Sequence, residues 1–172
     1  MTAVSAPVLP AAPAGVPVIK SLIPHRFPIL LVDRVLELAA GRSIVTVKAV
    51  TCNEPWYQGV ADDATQEQLG YPVPLLIESW CQSAALLAAW DQPAEQVAGQ
   101  VAVFGGMSDV VVRGAALPGD VLRHEVRISR ALDGVWFFEG RTLVDGEPVL
   151  EVGSVMTALR PASALLPDGT AV

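Results

Sequence analysis

The sequence predicts an α+β fold in which a strongly curved antiparallel sheet wraps around one long central helix. Three observations carry that expectation. Leu75–Trp90 (LLIESWCQSAALLAAW) is apolar on nearly every face and contains no Gly or Pro, the pattern of a helix buried on all sides. One strand precedes it, and a run of about four strands joined mainly by turns follows it. Antiparallel strands surround a helix only by curling round it. A single helix leaves part of such a sheet and its edge uncovered, so a dimer is expected.

The elements follow in order. Met1–Pro17 is rich in Ala, Pro and Val. It has no basic n-region and its prolines interrupt any apolar run, so it is expected to be a flexible tail and not a targeting segment. The folded domain is expected over residues 18–160, with residues 161–172 as a second tail. Val18–Ile23 starts a short helix or turn that Pro24 stops. Ile29–Val32 is a short apolar run after Pro28, and Asp33–Leu38 continues extended. Gly41 turns the chain into Ser43–Cys52 (SIVTVKAVTC), a β-branched strand. Asn53–Gly59 (NEPWYQG) is a loop, and Val60–Gly70 is polar and irregular. Pro72 and Pro74 stand where a helix start tolerates proline. Asp91 and Pro93 mark the helix end, and Gln92–Gln100 is a linker.

Strands are then expected at Val101–Gly106, which ends in a Gly-Gly pair, and at Val110–Ala116, closed by LPGD at Leu117–Asp120. Val121–Arg130 alternates strictly: Arg123, Glu125 and Arg127 share one face, and Leu122, His124, Val126 and Ile128 the other. Asp133-Gly134 and Asp145-Gly146 are hairpin signals around Val135–Val144, and Pro148–Leu159 is the last strand. The sequence has no internal repeat.

Composition narrows the function. The 172 residues are enough for one domain with a real core. Hydrophobic residues make up 52% and charged residues 17%, as in a globular chain and unlike a disordered one. A net charge of −7 argues against a nucleic-acid surface and fits a cytoplasmic protein. The helix is too short, and too polar at Glu78 and Gln82, to span a membrane. Cys52, placed in a strand, and Cys81, placed in the helix, read as inert core thiols rather than a disulfide. Two cysteines and two histidines without a cluster form no zinc pattern, and no metal or cofactor is expected.

Two polar groups interrupt the apolar helix. Glu78 sits near its start, and Gln82 one turn later on the same face. A buried carboxylate is costly unless it is paired, protonated or used. Burial raises a carboxyl pKa and a nearby helix N-terminus lowers it, so sequence leaves the net direction open. If burial wins, Glu78 is a carboxylic acid able to donate a proton near neutral pH. The plainer alternative is a helix cap or a partner to a buried Arg.

Four stretches together resemble one family, the FabZ-type (3R)-hydroxyacyl-[acyl carrier protein] dehydratases of the hotdog fold. They are PHRFPILLVDRV (Pro24–Val35), NEPWYQG (Asn53–Gly59), LLIESWCQSAALLA (Leu75–Ala88) and LPGD (Leu117–Asp120). The resemblance covers roughly Ile19 to Arg160, and the order and spacing of the four are specific as a set. It implies removal of water from a β-hydroxyacyl thioester to give a trans-2-enoyl thioester. A histidine takes the α-proton, and a helix carboxylate, matched by Glu78, assists departure of the hydroxyl. Gln82 matches the family's glutamine one turn on. A backbone N–H at the helix start holds the thioester carbonyl. Val73 lies there where the family usually has glycine, and any non-proline residue keeps the N–H. Trp80, beside Glu78 in sequence, would shape the substrate tunnel or fill the core.

The resemblance breaks where it implies the catalytic base. After Gln58-Gly59 the family has HFPG; here Val60-Ala61-Asp62-Asp63 follows, with a short insertion before the helix. Val60 stands in the histidine's place and cannot take a proton. Asp62 and Asp63 read as solvated loop residues. His25 matches a family histidine that is not the catalytic one, and His124 reads as a satisfied core histidine. The strand before the PGD turn, usually basic for carrier-protein docking, keeps Arg113 as its one clear cation.

In the family's dimer the histidine and the carboxylate of each site come from different subunits. The expected function is therefore one subunit of a heterodimeric dehydratase acting on a β-hydroxyacyl chain held by an acyl carrier protein, in fatty acid or polyketide-type biosynthesis. This chain would donate Glu78, and a paralogous hotdog subunit the histidine. Two alternatives stay open. One is a catalytically silent hotdog that stabilises a partner or holds an acyl chain. The other is a homodimer that hydrolyses or isomerises thioesters with Glu78 alone.

Overall fold

A computed structural model describes residues 12–90, 92, 100–132 and 134–161. The order of elements is β1 (Ala14–Gly15), α1 (Val16–Leu22), β2 (Arg34–Ala39), β3 (Ser43–Ala49), α2 (Val73–Ala89), β4 (Gln100–Val112), β5 (Val121–Leu132), β6 (Val135–Val144) and β7 (Glu147–Pro161). The seven strands form one antiparallel sheet in the order β1-β2-β3-β5-β6-β7-β4. Strand β3 pairs with β5 in an unbroken register from Ser43↔Arg127 to Ala49↔Val121, so α2 lies in the connection between two halves of the sheet. The helix packs on β3, β5, β6 and β7.

Alternation in the strands is set by the core. Leu122, His124 and Val126 are buried against the helix, as the sequence predicts, while Arg123, Glu125 and Arg127 face outward. The outward charges pair across strands, Arg141 Nε with Glu125 Oε2 at 2.8 Å and Arg123 Nη2 with Glu37 Oε1 at 2.9 Å. The β6–β7 hairpin turns at Asp145 (φ 50°) and Gly146 (φ 87°), two positive φ values that explain the Asp-Gly signal. Curvature needs glycine at Gly140. Its φ is 155°, and a Cβ there would collide with the Glu125 carbonyl oxygen where the sheet is irregular between Phe138 and Gly140.

Several expectations are corrected. The two strands expected either side of Gly105-Gly106 are one strand, β4, that absorbs the glycines as a bulge between Phe104 and Gly106. Arg113–Ala116 then leaves the sheet. Strand β3 ends at Ala49, so Cys52 is exposed in a turn and not a core thiol. Residues 14–17, expected in the tail, already form β1 and the first turn of α1, and Ala14 is buried. Asp91, Pro93, most of the 92–100 linker, Asp133 and most of both expected tails lie outside the described residues. No helix among the described residues is long and apolar enough to cross a membrane.

The helix is not covered on all sides. Pro74 is exposed, and Ile77, Glu78, Cys81, Ala85 and Ala88 are half-buried, in contrast to Leu76, Trp80, Gln82, Ala84, Leu86 and Leu87. These positions recur at helical spacing and form one stripe. The sheet embraces the remaining faces and leaves this one open beside β4. Strand β4 is also the sheet's last strand, and it exposes Val101, Phe104, Met107, Val111 and Val112.

Candidate active site

Glu78 stands on the open stripe, one and a half turns into α2. Its carboxylate is anchored by Gln82, whose position one turn on puts the two side chains side by side. Gln82 is 1% exposed and all three of its polar contacts are made. Its Nε2 donates to Glu78 Oε1 at 2.9 Å and to the Ile29 carbonyl at 2.7 Å, and its Oε1 accepts the Leu31 N–H at 2.8 Å. An amide is the side chain with both donors and an acceptor for this geometry. Gln82 thus ties the segment after Pro28 to the helix and holds Glu78.

The residues just before that segment bring His25 to the helix. His25 Nε2 lies 3.4 Å from Glu78 Oε1, with side chains 28% and 36% exposed. The histidine is held by its neighbours. Arg26 folds back onto the end of α1, donating from Nη1 to the Ile23 and His25 carbonyls at 2.8 and 2.7 Å and from Nη2 to the Lys20 carbonyl at 2.9 Å. A cation on the carbonyls at a helix C-terminus is favourable. The Pro24-His25-Arg26 motif carried the signal, but only the fold brings residue 25 to residue 78.

His25, Glu78 and Gln82 line a cleft of about 310 Å³ whose other walls include Ile77, Phe104 and Met107. A few polar groups in an otherwise apolar cleft suit a ligand with a polar head and an alkyl chain. Cys81 also lines it. Burial, and then the charge of Glu78, push its thiol up to about 12, so it is neutral and no nucleophile. At the helix start, Pro74 has no N–H, and Leu75 and Leu76 donate to the Pro72 carbonyl. Val73, 41% exposed, carries the first amide of the helix, a position without an intrahelical acceptor.

Other expected site residues lie elsewhere. Trp80 is 0% exposed and fills the core. Two residues from Glu78 is more than half a turn round the helix, so it faces the sheet and does not line the cleft. Val60 is half-buried against the core in the loop after Tyr57, and Asp62 and Asp63 are exposed there; none of the three lines the cleft within this chain. Glu54 of the NEP motif is structural, with Oε2 2.8 Å from Lys48 Nζ and Oε1 accepting the Thr51 N–H.

His124 is fully buried, Nδ1 2.9 Å from Thr142 Oγ1 and Nε2 without a partner. Burial, reinforced by Lys48, pushes it down to about 3, so it is a neutral core residue. Arg113 is engaged by Glu151, Nη2 to Oε2 at 2.7 Å. Among the described residues no three His, Cys, Asp or Glu side chains group as metal ligands.

A curved antiparallel sheet around one helix, with a helix carboxylate lining an apolar cleft, defines a hotdog-fold protein. The solved dehydratase heterocomplex ApeI:P from Xenorhabdus doucetiae superposes on it with a TM-score of 0.67 at 16% identity, covering 86% of this chain and 93% of that one. A thioesterase-superfamily protein from Thermus thermophilus shares the fold more distantly, with a TM-score of 0.56 and 13% identity over 74% and 87% of the two chains. The sequence pattern described as the FabA-like domain matches residues 23–153, and the chain belongs to that family as one of its FabZ-type members.

The 3-hydroxyacyl-[acyl-carrier-protein] dehydratase FabZ of Magnetococcus marinus is 36% identical over 139 residues, 81% of this chain and 88% of that protein. FabZ of Roseiflexus castenholzii is 40% identical over 141 residues, 82% and 93% of the two chains.

Proposed function

We propose that this chain is a subunit of a 3-hydroxyacyl-[acyl carrier protein] dehydratase, in which Glu78 protonates the departing hydroxyl. The observation that carries the reading is the placement of Glu78: partly exposed, held by Gln82, in the wall of an apolar cleft. The acyl chain lies along Ile77, Phe104 and Met107. The Val73 N–H, with the helix dipole behind it, receives the thioester oxygen as charge develops there. Loss of the α-proton and of the protonated hydroxyl leaves a trans-2-enoyl thioester and water.

The working unit is a dimer. The open stripe of α2 and the apolar outer edge of β4 form one continuous unpaired surface of the kind a second hotdog covers. Val60, at the place where the resemblance implies histidine, favours a paralogous partner that brings its own base across the interface. The substrate's biosynthetic setting is then fatty acid or polyketide assembly. A homodimer requires a base within this chain.

The test is dehydration of a 3-hydroxyacyl-[acyl carrier protein] by the purified chain, alone and co-purified with a second hotdog chain that carries the histidine. Glu78→Gln keeps an acceptor for Gln82 and is expected to lower turnover about 100- to 10,000-fold, the usual contribution of a positioned acid. Full activity of Glu78→Gln in whichever assembly dehydrates refutes the reading.

A further inference from the structure

We infer that an acyl carrier protein docks on the cationic end of α1, through Lys20 and Arg26, and not on the strand before the Leu117–Asp120 turn. The inference rests on the dehydratase reading and adds the surface at which its carrier-held substrate arrives. The chain is acidic as a whole, with a net charge of −7, yet no Asp or Glu occurs before Asp33. Lys20 stands in the last turn of α1. Arg26 folds back to donate from Nη2 to the Lys20 carbonyl at 2.9 Å, so both cations sit at one end of that helix. Both are exposed. Asp33, the nearest acid to Arg26 in sequence, is engaged with β3, where its Oδ2 accepts the Ala49 N–H at 2.7 Å.

Charge pairing singles this surface out. Arg113, Arg123, Arg127 and Arg141 each meet a glutamate. Arg113, the cation of the strand before LPGD, donates to Glu151 Oε2 from both Nε at 3.0 Å and Nη2 at 2.7 Å, so its charge is already answered. Among the described residues Lys20 and Arg26 have no carboxylate within ion-pair distance. The contacts of the Arg26 guanidinium are backbone carbonyls, which satisfy its N–H groups without cancelling its charge. Arg34, Arg42 and Arg130 also lack a carboxylate, but none of them adjoins a cleft residue in sequence. Arg26 does: it follows His25, which lines the cleft beside Glu78. A carrier protein delivers its acyl chain on a phosphopantetheine arm, so its docking face must lie beside the cleft. Phe27, next along, is 85% exposed. An aromatic among cations suits a protein face with an apolar centre and acidic surroundings, and a phosphate alone would leave it bare.

The experiment uses the full chain, in whichever assembly dehydrates, with one 3-hydroxyacyl group presented on the acyl carrier protein, on 4′-phosphopantetheine and on N-acetylcysteamine. The readout is kcat/KM for the carrier-held substrate divided by that for the N-acetylcysteamine thioester, a ratio that removes any effect on the chemistry. Lys20→Arg is expected to keep the ratio and Lys20→Gln to lower it. Lys20→Glu lowers it further, about 3- to 30-fold, because reversal replaces an exposed attraction by a repulsion. Added salt lowers the wild-type ratio and narrows the gap between the variants. Titration of fluorescently labelled holo carrier protein, read by anisotropy, gives the same order without catalysis.

A ratio that is the same across the Lys20 series, or that falls only for Arg113→Gln, overturns the inference and leaves the dehydratase reading standing. An equal loss with the 4′-phosphopantetheine thioester also overturns it, because the contact is then to the phosphate and not to the carrier's protein surface. Carrier binding that follows the charge at residue 20, with no dehydration in any assembly, supports the docking surface and removes the dehydratase reading.

Discussion

Gln82→Leu tests whether one buried amide holds the site together. The substitution is close in volume and removes three hydrogen bonds at once. Leu31, whose N–H donates to Gln82 Oε1, is 1% exposed, so water does not replace the lost acceptor. The Ile29 carbonyl belongs to a residue 38% exposed and is partly rehydrated. An unsatisfied buried donor costs about 1–3 kcal/mol, and with a smaller amount for Ile29 the net loss is about 2–4 kcal/mol. For a chain of this length that lowers the melting temperature by about 5–15 °C.

The same change frees the segment bearing His25 and takes the partner from Glu78, so kcat is expected to fall more than KM rises. Thermal unfolding at fixed protein concentration, necessary because dimerisation shifts apparent stability, and steady-state kinetics are the assays. A Gln82→Leu protein that melts within about 2 °C of wild type refutes the reasoning. Packing of Ile29–Val32 would then hold the segment without the amide.

Two further outcomes test the core. His124 titrates near 6.5 when unfolded and near 3 when folded, so below pH 6.5 the unfolded chain takes up a proton that the folded chain does not. Its contribution to stability is complete above pH 6.5 and declines on acidification at about 1.4 kcal/mol per pH unit. Denaturant unfolding of His124→Asn is expected to show a shallower loss of stability than wild type between about pH 6.5 and pH 5; identical slopes exclude His124 as the source.

Lys48 and Glu54 are 7% and 9% exposed and 2.8 Å apart. Removing one partner leaves an uncompensated buried charge, so Lys48→Met is expected to cost about 3–5 kcal/mol. Adding Glu54→Gln should recover part of that loss in a double-mutant cycle.

Periodicity determined the elements. The all-apolar run gave α2, strict alternation gave the inward Leu122, His124 and Val126, and Asp145-Gly146 gave the β6–β7 hairpin, because each is a local property of a few consecutive residues. Glu78 and Gln82 were legible for the same reason: two polar residues one turn apart on a greasy helix stand out without any knowledge of the fold.

Other features depended on contacts between distant segments. A Gly-Gly pair reads as a strand end, yet pairing with β7 carries β4 through it as a bulge. Trp80 and Glu78 are neighbours in sequence and face opposite ways, since only the sheet's position decides which side of a helix is core. The open stripe on α2 arises because one sheet curls round a helix without closing. His25 was readable as part of a motif, but its place beside Glu78 was not. That contact spans more than fifty residues and exists only because Gln82 bonds the Ile29–Leu31 backbone and Arg26 folds back onto α1. The sequence by itself determined the fold class and singled out Glu78 and Gln82 as the polar pair on the apolar helix. Tertiary structure decided what stands beside Glu78, because a contact between distant segments is defined by distance and no local pattern encodes it.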